Sequence, residues 1–504
     1  MRWIYTATLV LVMANVGFTE DFPVHIEILD GPQGERVYAR AYLRRDGVSL
    51  FPDGFQAYEK RDEKHFLVPG EFTLHLPAGS YELRLERGLE YHPLETRLEV
   101  RGELTRTLVL ERCVDMNQAG SYSADLHVHR SPDDMEAILR AEDLNFAPTI
   151  TTHVWGDDIR RPWNLPDEFI VQVAPTKLYT ANSQEIERIQ GGPGAIILMA
   201  RQLPLTFDGD EHYPPSSSFT RQVHAQGGYV EADKPFWLDT FVNVALGEID
   251  FIELNCNHFY PRSVDTDLAR WSAWPQEMGY IGGRGLALWL MNLYYRVLNA
   301  GFELPLSAGS ANGVMPAPVG FNRVYVQLET FSYENFLAAM KAGRSFTTNG
   351  PILELVVDEN HRPGSRISRA RGEPLHVEAT VRSKGTIETA ELIVNGKIAK
   401  KVTDGGSEVR FTTELNLEES SWIALRAFEQ SLGEPQFFGH TSPVYVSIDG
   451  LPIRVPEDIR YLLEKVDRLI DYTKNVDGFR EESQREETLL LYRQAREIYL
   501  ERLR

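Results

Sequence analysis

Ser123-Ala124-Asp125-Leu126-His127-Val128-His129 is the stretch on which the fold turns. Successive side chains of an extended chain point to opposite faces, so His127 and His129 share one face and both imidazoles can reach one ion. Asp125 has the same parity, where a carboxylate can orient a histidine from behind. A helical segment, Asp134 to Leu144, follows at once. That order makes Ser123 to Val128 the first strand of a strand–helix–strand unit.

The same grammar continues downstream. Ala147 to Thr152, Phe169 to Val173, Ala195 to Met199, Tyr229 to Ala232, Phe251 to Asn255 and Leu304 to Ala308 read as strands. Helices fall between them, most clearly from Gly285 to Leu298. Alternating units of this length build a parallel sheet or barrel, with chemistry on the loops after the strand C-termini.

Both flanks change period. From Val24 to Arg112 apolar residues alternate, with Asp30-Gly31-Pro32, Pro52-Asp53-Gly54 and Pro77-Ala78-Gly79 between the runs, as in a small β-sandwich of the carboxypeptidase-regulatory, transthyretin-like kind. Period two returns after Gly350, where Asn395-Gly396 signals a hairpin turn. Ile459, Leu462, Leu463, Val466, Leu469 and Ile470 then follow helical spacing behind Pro456, and Gly478 is a stop. The expected organisation is multidomain α/β plus β: an export signal over 1–20, a β-sandwich over 21–113, a barrel over 114–350, a second sandwich over 351–450 and a helical hairpin over 451–504.

Composition bounds the function. A chain of 504 residues exceeds one hydrophobic core, and 42% hydrophobic with 25% charged residues is ordinary for a folded protein. A formal charge of -21 argues against nucleic acid, whose phosphates need a basic face. Arg2 precedes an apolar run from Trp3 to Val16, too short to span a bilayer, which reads as a cleaved signal peptide and a secreted or periplasmic destination. No later stretch is apolar enough to cross a membrane. Cys113 and Cys256 are the only cysteines, so a disulfide scaffold is excluded, while one bridge or two free thiols both stay open.

Three blocks in order carry a resemblance: Asp125-Leu126-His127-Val128-His129, then Thr151-Thr152-His153, then Ala342-Gly343-Arg344-Ser345-Phe346-Thr347-Thr348-Asn349-Gly350-Pro351. Over Ser121 to Gly364 the chain resembles the carbaryl-hydrolase-like branch of the PHP (polymerase and histidinol phosphatase) metallohydrolases. The resemblance implies a distorted (β/α)7 barrel, divalent metal, and hydrolysis of ester or phosphoester bonds. It places ligands at His127, His129, Glu185 and His153. It also shows departures: Thr152 stands for an Asp, Lys234-Pro235 for a His-Pro, and Gly309-Ser310-Ala311-Asn312-Gly313 lacks two usual ligands.

One divalent ion, Zn, Mn or Fe, is therefore expected, with His258 after the Phe251 to Asn255 strand completing the set. Lys234 is expected to replace missing metal charge and hold an oxyanion, and Arg323 to bind an anionic substrate group. Trp155, Trp163, Trp237, Trp271 and Trp274 flank the strands, where tryptophan can stack on a glycan or other small-molecule substrate. Two functions remain: a secreted metal-dependent hydrolase, or a binding protein for a glycan or protein that kept the barrel and lost its chemistry.

Overall fold

The computed structural model describes residues 20–58, 64–155, 158–161, 163–187, 194–200, 202, 212–266, 282–403, 405–431, 433 and 436–504. The expected export signal lies outside the described residues apart from Glu20, as do Trp271, Trp274 and the side chain of Trp155. The protein is a mixed α/β chain dominated by sheet, with seven α-helices among the described residues.

In the N-terminal unit Asp21–Asp30 pairs antiparallel with Glu71–Pro77 and parallel with Leu104–Leu110. A second sheet runs Ala57–Tyr58, His65–Val68, Ala39–Arg45, Gly79–Glu86, Leu94–Val100. Val24, Ile26 and Ile28 from the first and Leu83 and Leu85 from the second share one core, as the period-two pattern requires.

The central segment is built on seven strands whose pairings return on themselves. Ser121–Ala124 lies parallel to Phe146–Trp155, which lies parallel to Lys177–Glu187. Ala195–Met199 is antiparallel to Lys177–Glu187 and to Tyr229–Ala232. Tyr229–Ala232, Phe251–Asn255 and Leu306–Ala308 continue in parallel. Leu126 N donates to Ala308 O at 3.0 Å and His129 N to Asn312 O at 2.8 Å, joining the last strand to the first.

Two sequence readings need correction. The strand read at Phe169 to Val173 is present as Ile170–Ala174, half-buried, but the reading missed its antiparallel partner Lys177–Glu187, which is buried along ten of its eleven residues and carries Glu185. The strand order is also not wholly parallel, because Ala195–Met199 runs antiparallel to both of its neighbours.

The expected border at Pro351 is bridged by hydrogen bonds. Ser121–Ala124 pairs with Arg323–Gln327, that strand with Ser345–Thr348, and Ser345–Thr348 with Phe438–Thr441 in the C-terminal unit. There, Ile352–Val357, Pro374–Arg382 and Glu408–Asn416 form one sheet against Ile387–Val394 and Ser421–Glu429, around Leu375, Val377, Leu392 and Leu425. Asn395 and Gly396 both take positive φ, 47° and 81°, in the turn between Ile387–Val394 and Lys397–Val402, as a two-residue hairpin demands.

Pro456–Asn475 and Glu482–Leu503 form the helical hairpin. Ile459, Leu462, Val466 and Leu469 are buried in one cluster with Phe241, Val242 and Leu290, so the hairpin covers the central segment. Tyr499 Oη donates to Phe241 O at 2.7 Å, and Arg296 pairs with Asp458 at 2.6 Å. Cys113 and Cys256 are both free, which answers the question the sequence left open. No helix among the described residues is long and apolar enough to cross a membrane.

Candidate metal centre

Three imidazoles converge on one carboxylate. Glu185 lies 3.4 Å from His127 Nε2, 3.1 Å from His129 Nε2 and 3.4 Å from His153 Nε2. Each donor leaves the C-terminal end of its strand or the residues just after it, and His153 pairs in register with Glu185 across parallel strands. The i, i+2 spacing of His127 and His129 brings their Nε2 atoms to 3.2 Å. Glu187, two residues beyond Glu185 on the same face, reaches His153 Nε2 at 3.8 Å.

The far nitrogen of His127 faces acid. Nδ1 lies 3.4 Å from Asp233 Oδ1 and 3.3 Å from Glu253 Oε2, a pairing that fixes the ring with Nε2 toward Glu185. The sequence assigned that orienting role to Asp125. The structure corrects it: Asp125 accepts the backbone N–H of His127 at 3.1 Å, Ser310 at 3.0 Å and Gly320 at 2.7 Å, so it pins three chain segments instead of a ring.

Burial sets the electrostatics. His127, Glu185, Glu231, Asp233 and Glu253 are each at most 3% exposed, so their charges are settled against one another and not against water. Burial opposes the charged form of His127, yet Glu185, Asp233 and Glu253 together hold its imidazole well above the usual range. Burial lowers His129 despite Glu185. Burial and then Asp233 push Glu253 up to about 8, and burial pushes Glu187 up to about 7. Burial and Glu253 raise Glu231 well above the carboxylate range, whereas the three histidines hold Glu185 well below it despite its burial.

The donor set fits a divalent cation. Imidazole nitrogens and carboxylate oxygens suit Zn, Mn or Fe. Both oxygens of Glu231 and one of Glu253 are buried without a hydrogen-bond partner, and Asp233 Oδ1 meets only His127 Nδ1 at 3.4 Å, so buried oxygen donors are left over for a cation. The donors fall into three sets, each compact enough for one ion: His127, His129 and Glu185; His127, Asp233 and Glu253; His153, Glu185 and Glu187.

Of the residues singled out in sequence, His127, His129, His153 and Glu185 come together, Lys234 stands beside them against Asp233, and His258 and Arg323 join none of the donor sets. His258 is buried, shares its Nδ1 with Asp265 O at 3.1 Å, and joins none of the three sets. Lys234 is committed to its neighbour Asp233 in a buried ion pair, held there by a strained backbone with φ of 89°. Arg323 donates Nε to Gly320 O at 2.6 Å and Nη2 to Glu142 O at 3.2 Å, away from the histidines. Trp237 packs in the core against Phe236, and Trp163 is half-buried.

Sequence reasoning missed Glu187, Glu231, Asp233 and Glu253. The signal was present: Glu231 and Asp233 at i, i+2 in Tyr229-Val230-Glu231-Ala232-Asp233, and Glu253 between Ile252 and Leu254. An acidic residue inside an otherwise apolar strand must face a partner, because a lone buried carboxylate is too costly.

No protein-family model matches this chain, and no curated protein matches it. Among solved structures, one from Jonesia denitrificans, titled as the neutron crystallographic structure of a lytic polysaccharide monooxygenase, aligns with 14% identity over 30% of this chain and 94% of that one. Its TM-score is 0.14, which carries no argument about fold or chemistry.

Proposed function

We propose that the protein is a metal-dependent hydrolase of ester or phosphoester bonds, related to the carbaryl-hydrolase-like PHP enzymes, with the seven-strand circuit as its distorted barrel. The carrying observation is the convergence of His127, His129 and His153 on Glu185 within 3.4 Å. His127, His129 and Glu185 would hold the ion, with His153 and Glu187 beside them. A divalent ion bound there lowers the pKa of water and polarises a scissile bond.

The chain's own residues do the rest. Asp233 and Glu253 hold His127 from behind, Asp125 fixes the His127 backbone, and Lys234 neutralises Asp233. The side chains of His127, Asp233 and Glu253 are closed to solvent, whereas those of His129, His153 and Glu187 keep 10%, 13% and 12% exposure. Substrate therefore approaches over His153 and Glu187.

Metal analysis of the purified chain, beside a panel of chromogenic esters and phosphoesters, tests this reading. About one transition metal per chain with metal-dependent turnover supports it. A chain that takes up no metal on loading is instead a binding protein on the same framework.

A further inference from the structure

We propose a second ligand site, for a small molecule carrying two or more oxyanion groups, in the cavity where the three units of the chain meet. The cavity holds about 960 Å³, near the upper end of the ~300–1,000 Å³ common for small-molecule sites. Arg44 and Arg84 come from the N-terminal unit, Arg262 and Arg323 from the central segment, and Lys384 from the C-terminal unit. None of the histidine-cluster residues lines it, so it stands apart from the metal reading.

Charge carries the inference. Among the described residues the acids of this cavity are partly spent: Glu86 pairs with Arg40 and Arg84, and Glu142 with Arg40. Glu95 pairs with Arg84, Glu82 with Arg97, and Glu429 lies near Lys384, whereas Arg44, Arg262 and Arg323 line the same space with no carboxylate in ion-pair distance among the described residues. Lys384 Nζ has one acceptor, the carbonyl of Gly88 across the unit boundary at 3.2 Å. Arg323 is 1% exposed, and its Nη1 is buried without an acceptor.

The cavity wall carries seven cations against five carboxylates, a local excess of two positive charges in a chain of net charge -21. Arg323 is enclosed, where the surrounding protein screens poorly, while Arg262 and Lys384 reach solvent at the rim and are open to an entering anion. Guanidinium groups match the planar, paired oxygens of carboxylates, phosphates and sulfonates. Phe321, Phe437 and Tyr42 complete the wall and suit a ring-sized scaffold between the charges.

Calorimetric titration of the full chain with benzene-1,3-disulfonate is the test, since this dianion binds metals poorly and offers no ester to cleave. Binding at roughly millimolar affinity or tighter is expected. It should weaken as salt rises and be absent for neutral benzene-1,3-dimethanol. Arg262→Ala with Lys384→Ala should weaken it about tenfold or more while leaving metal content unchanged. Lys384→Gln alone, which removes one charge with little change in shape, should give a smaller loss in the same direction. No binding to the wild type at tens of millimolar, equal affinity in the variants, or equal binding of the neutral diol would each overturn the site, whatever the metal content proves to be.

Discussion

His129 Nε2 stands 3.1 Å from Glu185 Oε2, although 56 positions separate the two in sequence. Parallel pairing of Phe146–Trp155 with both neighbouring strands sets that distance. Glu185→Gln keeps the shape and removes the charge that three imidazoles share. Metal content measured by mass spectrometry should fall at least about tenfold in occupancy at limiting metal. Chelator should lower the melting temperature of the wild type and leave this variant nearly unchanged.

His153→Ala and His258→Ala separate the two candidates for a further ligand. His153 faces Glu185 and Glu187, whereas His258 is bonded to the Asp265 carbonyl. His153→Ala should lose metal affinity, and His258→Ala should keep full occupancy with some loss of stability. Loss of metal in His258→Ala, read by the same mass spectrometry, would restore the ligand set expected from sequence.

Lys234→Met removes the ammonium from Asp233 and leaves that buried carboxylate with only His127 to offset its charge. Breaking a buried pair from one side costs about 3–5 kcal/mol. Denaturant titration should show that loss, and Lys234→Met with Asp233→Asn should recover most of it.

Asp143 ties the N-terminal unit to the central segment, with Arg87 and Lys177 at 2.9 Å and Arg112 at 3.0 Å. Burial works against its charge, but these three cations hold it below the usual carboxylate range. Its folded pKa is depressed, so its stabilisation is complete above the unfolded value of about 3.9 and is lost as pH falls below it. Asp143→Asn should lower the urea midpoint at pH 7. The gap from wild type should stay constant down to about pH 5 and shrink below about pH 4.

Local pattern made much of this protein legible. The i, i+2 histidines, the period-two runs at both flanks, the Asn395-Gly396 turn and the helical spacing from Ile459 to Ile470 each follow from which way neighbouring side chains point. Those directions depend only on residues a few positions apart, so the sequence by itself determined the mixed α/β character and the gathering of His127 with His129. It also marked His153 and Glu185, through their block resemblance.

Tertiary structure decided what long-range pairing decides. Whether His258 or Glu187 stands beside His153 depends on strand register, and a one-residue slip turns every side chain to the other face. Asp125 was drawn away from the ring because the His127 backbone N–H and two more from distant segments, at Ser310 and Gly320, compete for its oxygens. The partners of Lys234 and Arg323 were hidden for the same reason: a buried cation takes the nearest acceptor that the assembled fold supplies, and only the fold says which one that is.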